Sequence, residues 1–497
     1  MPVDPRTPVL IGYSQVNHRD EIDSGEPSIE PVDLMVTAAR RAADSRVLEA
    51  VDSIRVVHML SAHYRNPGQL LGERLGLTSF AASYSSVGGN TPQSLVNQAC
   101  LDIKQSRARV ILISGAETWR TRTALKKQGR RLVLTVQDQS VPLPEVAGDR
   151  VPMAGDAEIR ITLDRPAYVY PLFEQALRIA NGESVADHSR RVSELWARLS
   201  AVAVDNPNAW IRRPVTAEEI RQPGPQNRII SWPYTKLMNS NNMVDQGAAL
   251  ILTSVEQAER LRVPAERWVF PQAGTDVRET TVIAERRELH RSPAIRIGGA
   301  RALELAGLGI DDVDYIDLYS CFPSAVQVAA NELGLATDDP ARPVTVTGGL
   351  TFAGGPWSNY VTHSIATMAA LLVANPGRRG LITANGGYLT KHSFGIYSTG
   401  PPPNPGEFRC EDVQSAVDRE PTTVGLVEWE GVGTVEAWTT PFDRDGQPEK
   451  AFLAVRTPDD ARALAVITDP AAATATVRDD IAGAKVAVAA DGTASLQ

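Results

Sequence analysis

A duplicated, layered α/β body followed by a separate small β-barrel is the fold class that this 497-residue sequence predicts. Three observations predict it. One is an internal repeat: Pro31–Leu77 and Pro293–Leu335 carry the same order of features at an offset of about 260 residues, too long for a solenoid or propeller and so the mark of a duplicated half-domain. Another is the alternation of strand-like and helix-like segments in each half, which implies a parallel or mixed sheet with both faces covered. The third is the run Gly400-Pro401-Pro402-Pro403-Asn404-Pro405, a stiff spacer that joins neither a sheet interior nor a helix. Beyond it the composition changes. Residues 406–497 hold 17 acidic and 8 basic side chains, so the chain's net charge of −9 resides there.

Within the repeat, Ala38-Ala39-Arg40-Arg41-Ala42-Ala43 lines up with Gly299-Ala300-Arg301-Ala302-Leu303-Glu304, each an amphipathic helical pattern. Val51-Asp52-Ser53-Ile54 matches Val313-Asp314-Tyr315-Ile316 and leads into an apolar strand. Both units close on a helix that ends in Leu75-Gly76-Leu77 or Leu333-Gly334-Leu335, where glycine supplies the left-handed cap. A glycine loop, an apolar helix and a second strand follow. These are Val87-Gly88-Gly89, Ser94–Ile103 and Val110–Ser114 in the first half, and Gly348–Pro356, Tyr360–Ala374 and Leu381–Ala384 in the second. Residues 119–245 interrupt the pattern, with helices over Leu172–Asn181 and Val185–Val202, and read as an excursion of the kind that covers a substrate. In the tail, Thr423–Glu430, Gly433–Thr439, Ala451–Val455, Leu464–Thr468, Thr474–Val477 and Ala484–Ala489 read as short barrel strands. The expected domains are 1–118 with 246–270, an insertion at 119–245, a second half at 271–400, and the barrel at 406–497.

Composition excludes several classes. With 43% hydrophobic and 22% charged residues, the chain is an ordinary globular sequence. Its first ten residues lack the basic and apolar regions of a signal peptide. The longest apolar stretch, Ile365–Ala374, is too short to span a bilayer. Cys100, Cys321 and Cys410 have neither metal-ligand nor disulfide-framework spacing, which fits a reducing compartment. The expectation is a cytoplasmic protein with no metal and no membrane partner. An acidic barrel with few aromatics also lacks the positive, stacking groove that nucleic acid needs.

Several strings, taken in order, resemble the thiolase superfamily, over roughly residues 8–398. Ser114-Gly115-Ala116-Glu117 is similar to its Gly-Gly-x-Glu strand end. Asn241-Asn242-Met243-Val244-Asp245-Gln246-Gly247-Ala248-Ala249 resembles its Asn-x-Ser-Gly-x-Asn-Asp-Gly-Ala-Ala segment. Tyr319-Ser320-Cys321-Phe322 resembles the His-Asp-Cys-Phe motif of the sterol-carrier-protein thiolases. In the tail, Gly433–Pro441 resembles the OB-like domains that accompany some thiolase-like proteins as partner chains.

The resemblance implies a layered αβαβα thiolase fold with an inserted loop domain and an OB-like addition. It implies an acyl-CoA ligand, with coenzyme A as substrate moiety and no separate cofactor, a place in lipid metabolism, and a homodimer or a monomer. It also implies where the chemistry belongs. The nucleophilic cysteine position falls on Gly89, the activating histidine on Gly355, the second cysteine on Ala384, and the oxyanion side chain on Tyr319. No cysteine precedes Cys100, and none lies between Cys321 and Cys410. Claisen condensation through an acyl-cysteine is therefore not expected, because it requires a thiolate.

The remaining candidates each have a structural alternative. Gly88, Gly89, Gly354, Gly355, Gly386 and Gly387 either form tight turns or widen a pocket whose amides cradle a thioester carbonyl. Tyr319 is either a proton donor to a carbonyl or an alkoxide or a half-buried tyrosine; Cys321 either points to the same face, if the strand continues, or is a small buried core cysteine. His392 either reaches the pocket or bonds a backbone carbonyl, whereas His363 and Cys100 read as structural. Asn90 and Thr91 read as caps ahead of Pro92. Asn242 maps onto a serine near the pantetheine, with Gly386 and Gly387 as further substrate contacts. The basic run from Arg120 to Arg131 either meets CoA phosphates or is a solvated face. Two function classes survive: an acyl-CoA enzyme without a covalent intermediate, such as a retro-aldolase using Tyr319 and His392, and a non-catalytic acyl-CoA-binding or partner-docking protein.

Overall fold

In a computed structural model, residues 3–19, 29–403 and 408–497 are described. Residues 1 and 2, 20–28, Asn404 and Pro405 of the proline run, and 406 and 407 lie outside the described residues. The first sheet runs in the order β1-β8-β4-β2-β3-β5. Its members are β1 (Pro8–Asn17), β2 (Ser53–Val56), β3 (Ala81–Ser85), β4 (Val110–Thr118), β5 (Glu145–Ala147) and β8 (Asp245–Ser254). Strand β4 is buried along its whole length and β8 along nearly all of it, which is why Val110–Ile113 and Ala248–Leu252 read as continuous apolar runs rather than alternating ones. Two short strands, β6 (Ile229–Trp232) and β7 (Tyr234–Thr235), precede β8.

The second sheet has the order β10-β11-β12-β9-β13. Its strands are β9 (Phe270–Arg278), β10 (Tyr315–Asp317), β11 (Arg379–Gly386), β12 (Lys391–Ser398) and β13 (Arg409–Asp412). The chain thus adds an edge strand to this sheet after the proline run, before it enters the third sheet.

Helices complete five layers. On the outer face of the first sheet lie α1 (Pro31–Ala42) and α2 (Pro67–Leu75). Between the sheets lies α3 (Thr91–Lys104). The insertion supplies α4 (Trp119–Lys127), α5 (Pro166–Ala180) and α6 (Val185–Asp205), and α7 (Pro293–Leu305) and α8 (Pro323–Leu333) cover the second sheet. Helix α9 (Tyr360–Ala374) joins α3 between the sheets. Nearly all of its first three turns are buried, and among the apolar residues Thr362, His363 and Ser364 are buried with hydrogen-bond partners. The two Leu-Gly-Leu turns end α2 and α8 with left-handed glycines, Gly76 at φ 81° and Gly334 at φ 70°, a conformation costly to any residue with a Cβ.

The tail is strand-rich, with β14 (Gly425–Leu426), β15 (Gly431–Pro441), β16 (Ala451–Arg456), β17 (Arg462–Ile467), β18 (Lys485–Val488) and β19 (Ala494–Leu496) in the order β14-β17-β16-β15-β18-β19. A bridge between Val466 and Thr493 brings the far end back to β17. Two expected strands differ. Thr423–Glu430 yields only the two residues of β14. Thr474–Val477 is helical, within α10 (Pro470–Arg478). There Asp469 caps the Ala472 amide at 2.7 Å and Pro470 opens the first turn, and these local start signals outweigh the β-branched residues.

The tail is stitched to the insertion and the body. Trp232 stacks on Trp438 at 5.3 Å, and β6 pairs with the end of β15. Arg178 bonds Asp480 at 2.8 Å. Arg462 is 0% exposed; it bonds Glu436 at 2.6 Å and donates to the Ile283 and Ala284 carbonyls at 3.3 Å.

Inside the insertion, His188 lies between Glu174 at 2.6 Å and Glu183 at 2.5 Å. Although burial opposes its charge, these carboxylates raise its pKa above the ordinary 6.5. A raised folded value means that its stabilisation is complete below the unfolded value and is lost as pH rises through the folded one. His188→Gln leaves Glu174 buried without its cation, so it is expected to lower stability by about 3–5 kcal/mol. The loss should be largest on the acid side of the raised pKa and shrink above it, as urea denaturation across pH will measure.

Candidate functional site

The site is built on the start of α3. Gly88, at φ 154°, makes the turn, and its N–H donates to Ser358 Oγ at 3.2 Å. Thr91 Oγ1 donates to the Gly88 carbonyl at 2.8 Å. Asn90 is the N-cap residue but makes no side-chain cap bond. Its Oδ1 is buried with no partner among the described residues, so it is not the ordinary cap that its position suggested.

Tyr319 reaches this helix start from beyond β10, which ends at Asp317. Its N–H is held by Thr383 Oγ1 at 2.9 Å and its ring stands edge-on to Tyr360 at 5.6 Å. A side-chain carbon added at Gly89 would run into the Tyr319 hydroxyl and come within 2.5 Å of the Asn385 carbonyl. The phenol therefore takes up the volume that a residue larger than glycine would use. Tyr319 is only 9% exposed, and burial pushes its pKa well above the usual tyrosine value, so it stays a neutral donor.

The opposite wall is the end of β11. Ala384 is buried, and Asn385 Nδ2 donates to Tyr170 Oη at 2.9 Å. Tyr170 Oη donates to the Gly387 carbonyl at 2.9 Å and accepts from the Leu389 N–H at 3.1 Å. Gly387, at φ 72°, makes the turn into β12. Cys321 lies against Asn385 Nδ2 at 3.8 Å, its thiol pushed up to about 12 by burial. That makes it a poor thiolate.

Strand alternation separates the next two residues. Lys391 turns toward α3: its Nζ donates to the Val87 carbonyl, and a side chain added at Gly88 would come within 2.8 Å of it. His392 turns to the other face, stacking on Phe394 at 6.5 Å. It is 2% exposed, and burial holds its pKa down at about 3. The structure thus brings Lys391, not His392, to Gly88 and Gly386. Lys391 was passed over in the sequence; the one available signal was that β12 alternates, so that only one of two adjacent basic residues can face α3.

A third wall is the loop before α9. A side chain added at Gly355 would come within 2.8 Å of Asn242 Oδ1 and 2.9 Å of Ser240 Oγ. At Gly354 it would meet Gln246. Asn242 is therefore brought together with Gly355, and Ser358 ties this loop to Gly88. Beside Asn242, Met243 is exposed, Trp119 and Trp357 lie 6.3 Å apart, and Arg120 lies over Trp210 at 5.5 Å. Trp119 Nε1, Trp357 Nε1, Arg120 Nη1 and Ser240 Oγ are buried with no partner among the described residues. His363 bonds Gln15 at 3.1 Å and Asn359 at 3.3 Å, and burial holds its pKa at about 3. Cys100 is fully buried in α3. Glu117, from the strand-end string, receives the Leu60 and Ser61 amides, each at 2.7 Å.

The whole architecture has a close counterpart. A solved monomeric SCP2-thiolase-like protein type 1 from Mycobacterium smegmatis is 31% identical over the full length of both chains, with a TM-score of 0.83. Residues 412–493 match the family described as the thiolase-like protein type 1 additional C-terminal domain. An Ltp2-ChsH2(DUF35) aldolase is 19% identical, covering 80% of this chain and 99% of that one, with a TM-score of 0.59; it shares the fold. An acetyl-CoA acetyltransferase of Syntrophomonas wolfei is 30% identical over 145 residues, which span 29% of this chain and about a third, 34%, of that protein. With a full-length relative of that identity, this chain belongs to the SCP2-thiolase-like protein type 1 family.

Proposed function

We propose that this chain binds an acyl-CoA without forming an acyl-enzyme, and that the Tyr319 phenol donates to the thioester carbonyl. The observation that carries the reading is the Tyr319 hydroxyl against Gly89, at the N-terminus of a buried helix and at the position where the resemblance would put a nucleophile. A neutral phenol cannot take the acyl group as a thiolate does, but it can donate to an oxygen on which charge develops. The helix start favours the same negative charge. The absence of thiol and imidazole at Gly89, Gly355 and Ala384 supports a non-covalent site.

The unpartnered donors of Trp119, Trp357 and Arg120 support a route for the ligand past Asn242. A pantetheine arm with its amides and a phosphate tail offers the acceptors that these buried groups lack. A second reading, retro-aldol cleavage of a β-hydroxyacyl-CoA, is favoured by the same neutral phenol, which would hold the thioester oxygen as the carbon–carbon bond breaks. His392 does not support it, because it faces away. We further propose a cytoplasmic monomer: the full-length solved relative is monomeric, and here β5 pairs along β3 from Ser83 to Ser85 and so covers that edge of the sheet.

Three outcomes check this reading. Titration calorimetry with CoA, acetyl-CoA and a long-chain acyl-CoA should give binding, and Tyr319→Phe should weaken the acyl forms about fivefold relative to CoA, the worth of one hydrogen bond of about 1 kcal/mol. No heat and no thermal shift with all three would leave the fold as a scaffold for protein contacts. Gly89→Cys should overpack the site, lowering the unfolding free energy measured by urea denaturation by about 1–3 kcal/mol, and should not restore thiolysis of acetoacetyl-CoA. Light scattering should give a mass near 53.6 kDa; twice that mass would show that β5 does not block pairing.

A further inference from the structure

We propose that Lys391 is a carbonyl-binding amine, which forms an imine with a small polar aldehyde or ketone held in the cavity between β3, α3 and β9. This cavity has a volume of about 780 Å³, and Ser85, Ser86, Asn90, Thr91, Ser94 and Lys391 are among its walls. It shares Asn90, Thr91 and Lys391 with the site at the start of α3, but neither Tyr319 nor Asn242 lines it, so the imine does not require the acyl-CoA reading.

The geometry singles out one lysine of seven. Lys391 is 8% exposed and is the one buried lysine. Its Nζ has a single hydrogen-bond acceptor among the described residues, the Val87 carbonyl, and no ion-pair partner among them. Asp149, the acidic group that favours its charge, is bound by Arg278 at 3.4 Å. Burial outweighs that influence and lowers the pKa of the amine, which raises its neutral fraction. The glycines admit it: a side chain added at Gly88 would meet Asn90 Oδ1 and come within 2.8 Å of Lys391 Nζ. Amine and unpartnered carboxamide oxygen therefore face one point.

That pair suits carbonyl addition. The neutral nitrogen attacks the carbonyl carbon, a C–N bond forms, and a proton passes from nitrogen to oxygen to give a carbinolamine. Its hydroxyl donates to Asn90 Oδ1. Loss of that hydroxyl as water, with proton exchange through the solvent of the cavity, gives the C=N bond. No oxidant or reductant is consumed. The serine and threonine hydroxyls of the walls favour a hydroxylated ligand over an alkyl one.

The test uses the intact chain with dilute glycolaldehyde and cyanoborohydride at neutral pH, followed by peptide mapping. The expected result is one reduced adduct on Lys391, in clear excess over any of the six other lysines, because burial lowers the pKa of this amine alone among those lining the cavity. Asn90→Ala should slow the labelling of Lys391 while leaving the other sites unchanged. Label spread over the other six lysines with Lys391 unmodified would overturn the proposal. So would an adduct on Lys391 no faster than on the exposed lysines. Because the map is made on the wild-type chain, the result does not depend on a variant that folds.

Discussion

The central helix α3 is held between the two sheets by buried amides, and the position of every group in the site depends on them. Gln93 donates to Asn97 at 2.9 Å, Asn97 donates to Asp276 at 3.0 Å, and Tyr397 donates to Gln93 at 2.8 Å. A helix between two sheets would ordinarily present apolar side chains to both. Here Gly274 and Gly395 make room for Asn97 and Gln93. A buried amide left without partners costs about 1–3 kcal/mol, so the network tolerates little sliding of one sheet past the other. Because α3 cannot slide, Gly88 and Gly89 stay where Tyr319, Asn385 and Lys391 meet them.

The glycines around the site are matched by large side chains from elsewhere. Tyr319 fills the space at Gly89, Asn242 and Ser240 that at Gly355, Gln246 that at Gly354, and Lys391 with Asn90 that between Gly88 and Gly386. Deleting a side chain from a close-packed interior leaves a costly void, and these neighbours remove it. The group that lies against Gly89 is a phenol that burial keeps protonated. Asp317 anchors the same half of the site, accepting from Thr345 at 2.7 Å and Ser364 at 2.5 Å, so that β10 delivers Tyr319 from a fixed strand.

The insertion and the C-terminal strands act as one brace. Arg178 bonds Asp480 and lies over Trp438 at 5.5 Å. Glu174, from the same helix as Arg178, accepts from Gln327 of α8 at 2.7 Å. Tyr170, two turns nearer the start of that helix, organises Asn385 and Gly387. The C-terminal strands and the wall of the site are thus both packed on α5.

Residues close in the chain made much of this legible in the sequence. The repeat, the helix from Tyr360 to Ala374, the left-handed caps at Gly76 and Gly334, and the lack of thiols before Cys100 follow from local periodicity, local caps and composition. Local signals also explain where reading by β-propensity failed: Asp469 and Pro470 start a helix that the threonines after them disguise. Tertiary structure alone decided what fills the glycine gaps, because Gly89 and Tyr319 are separated by more than two hundred residues and no pattern links a gap to its filler. It also decided that Lys391 rather than His392 faces α3, since alternation tells neighbours apart but only packing sets which face is inward. The pairing of β5 on β3 belongs there too: three residues within a long insertion carry no strand signal until an edge is present to receive them.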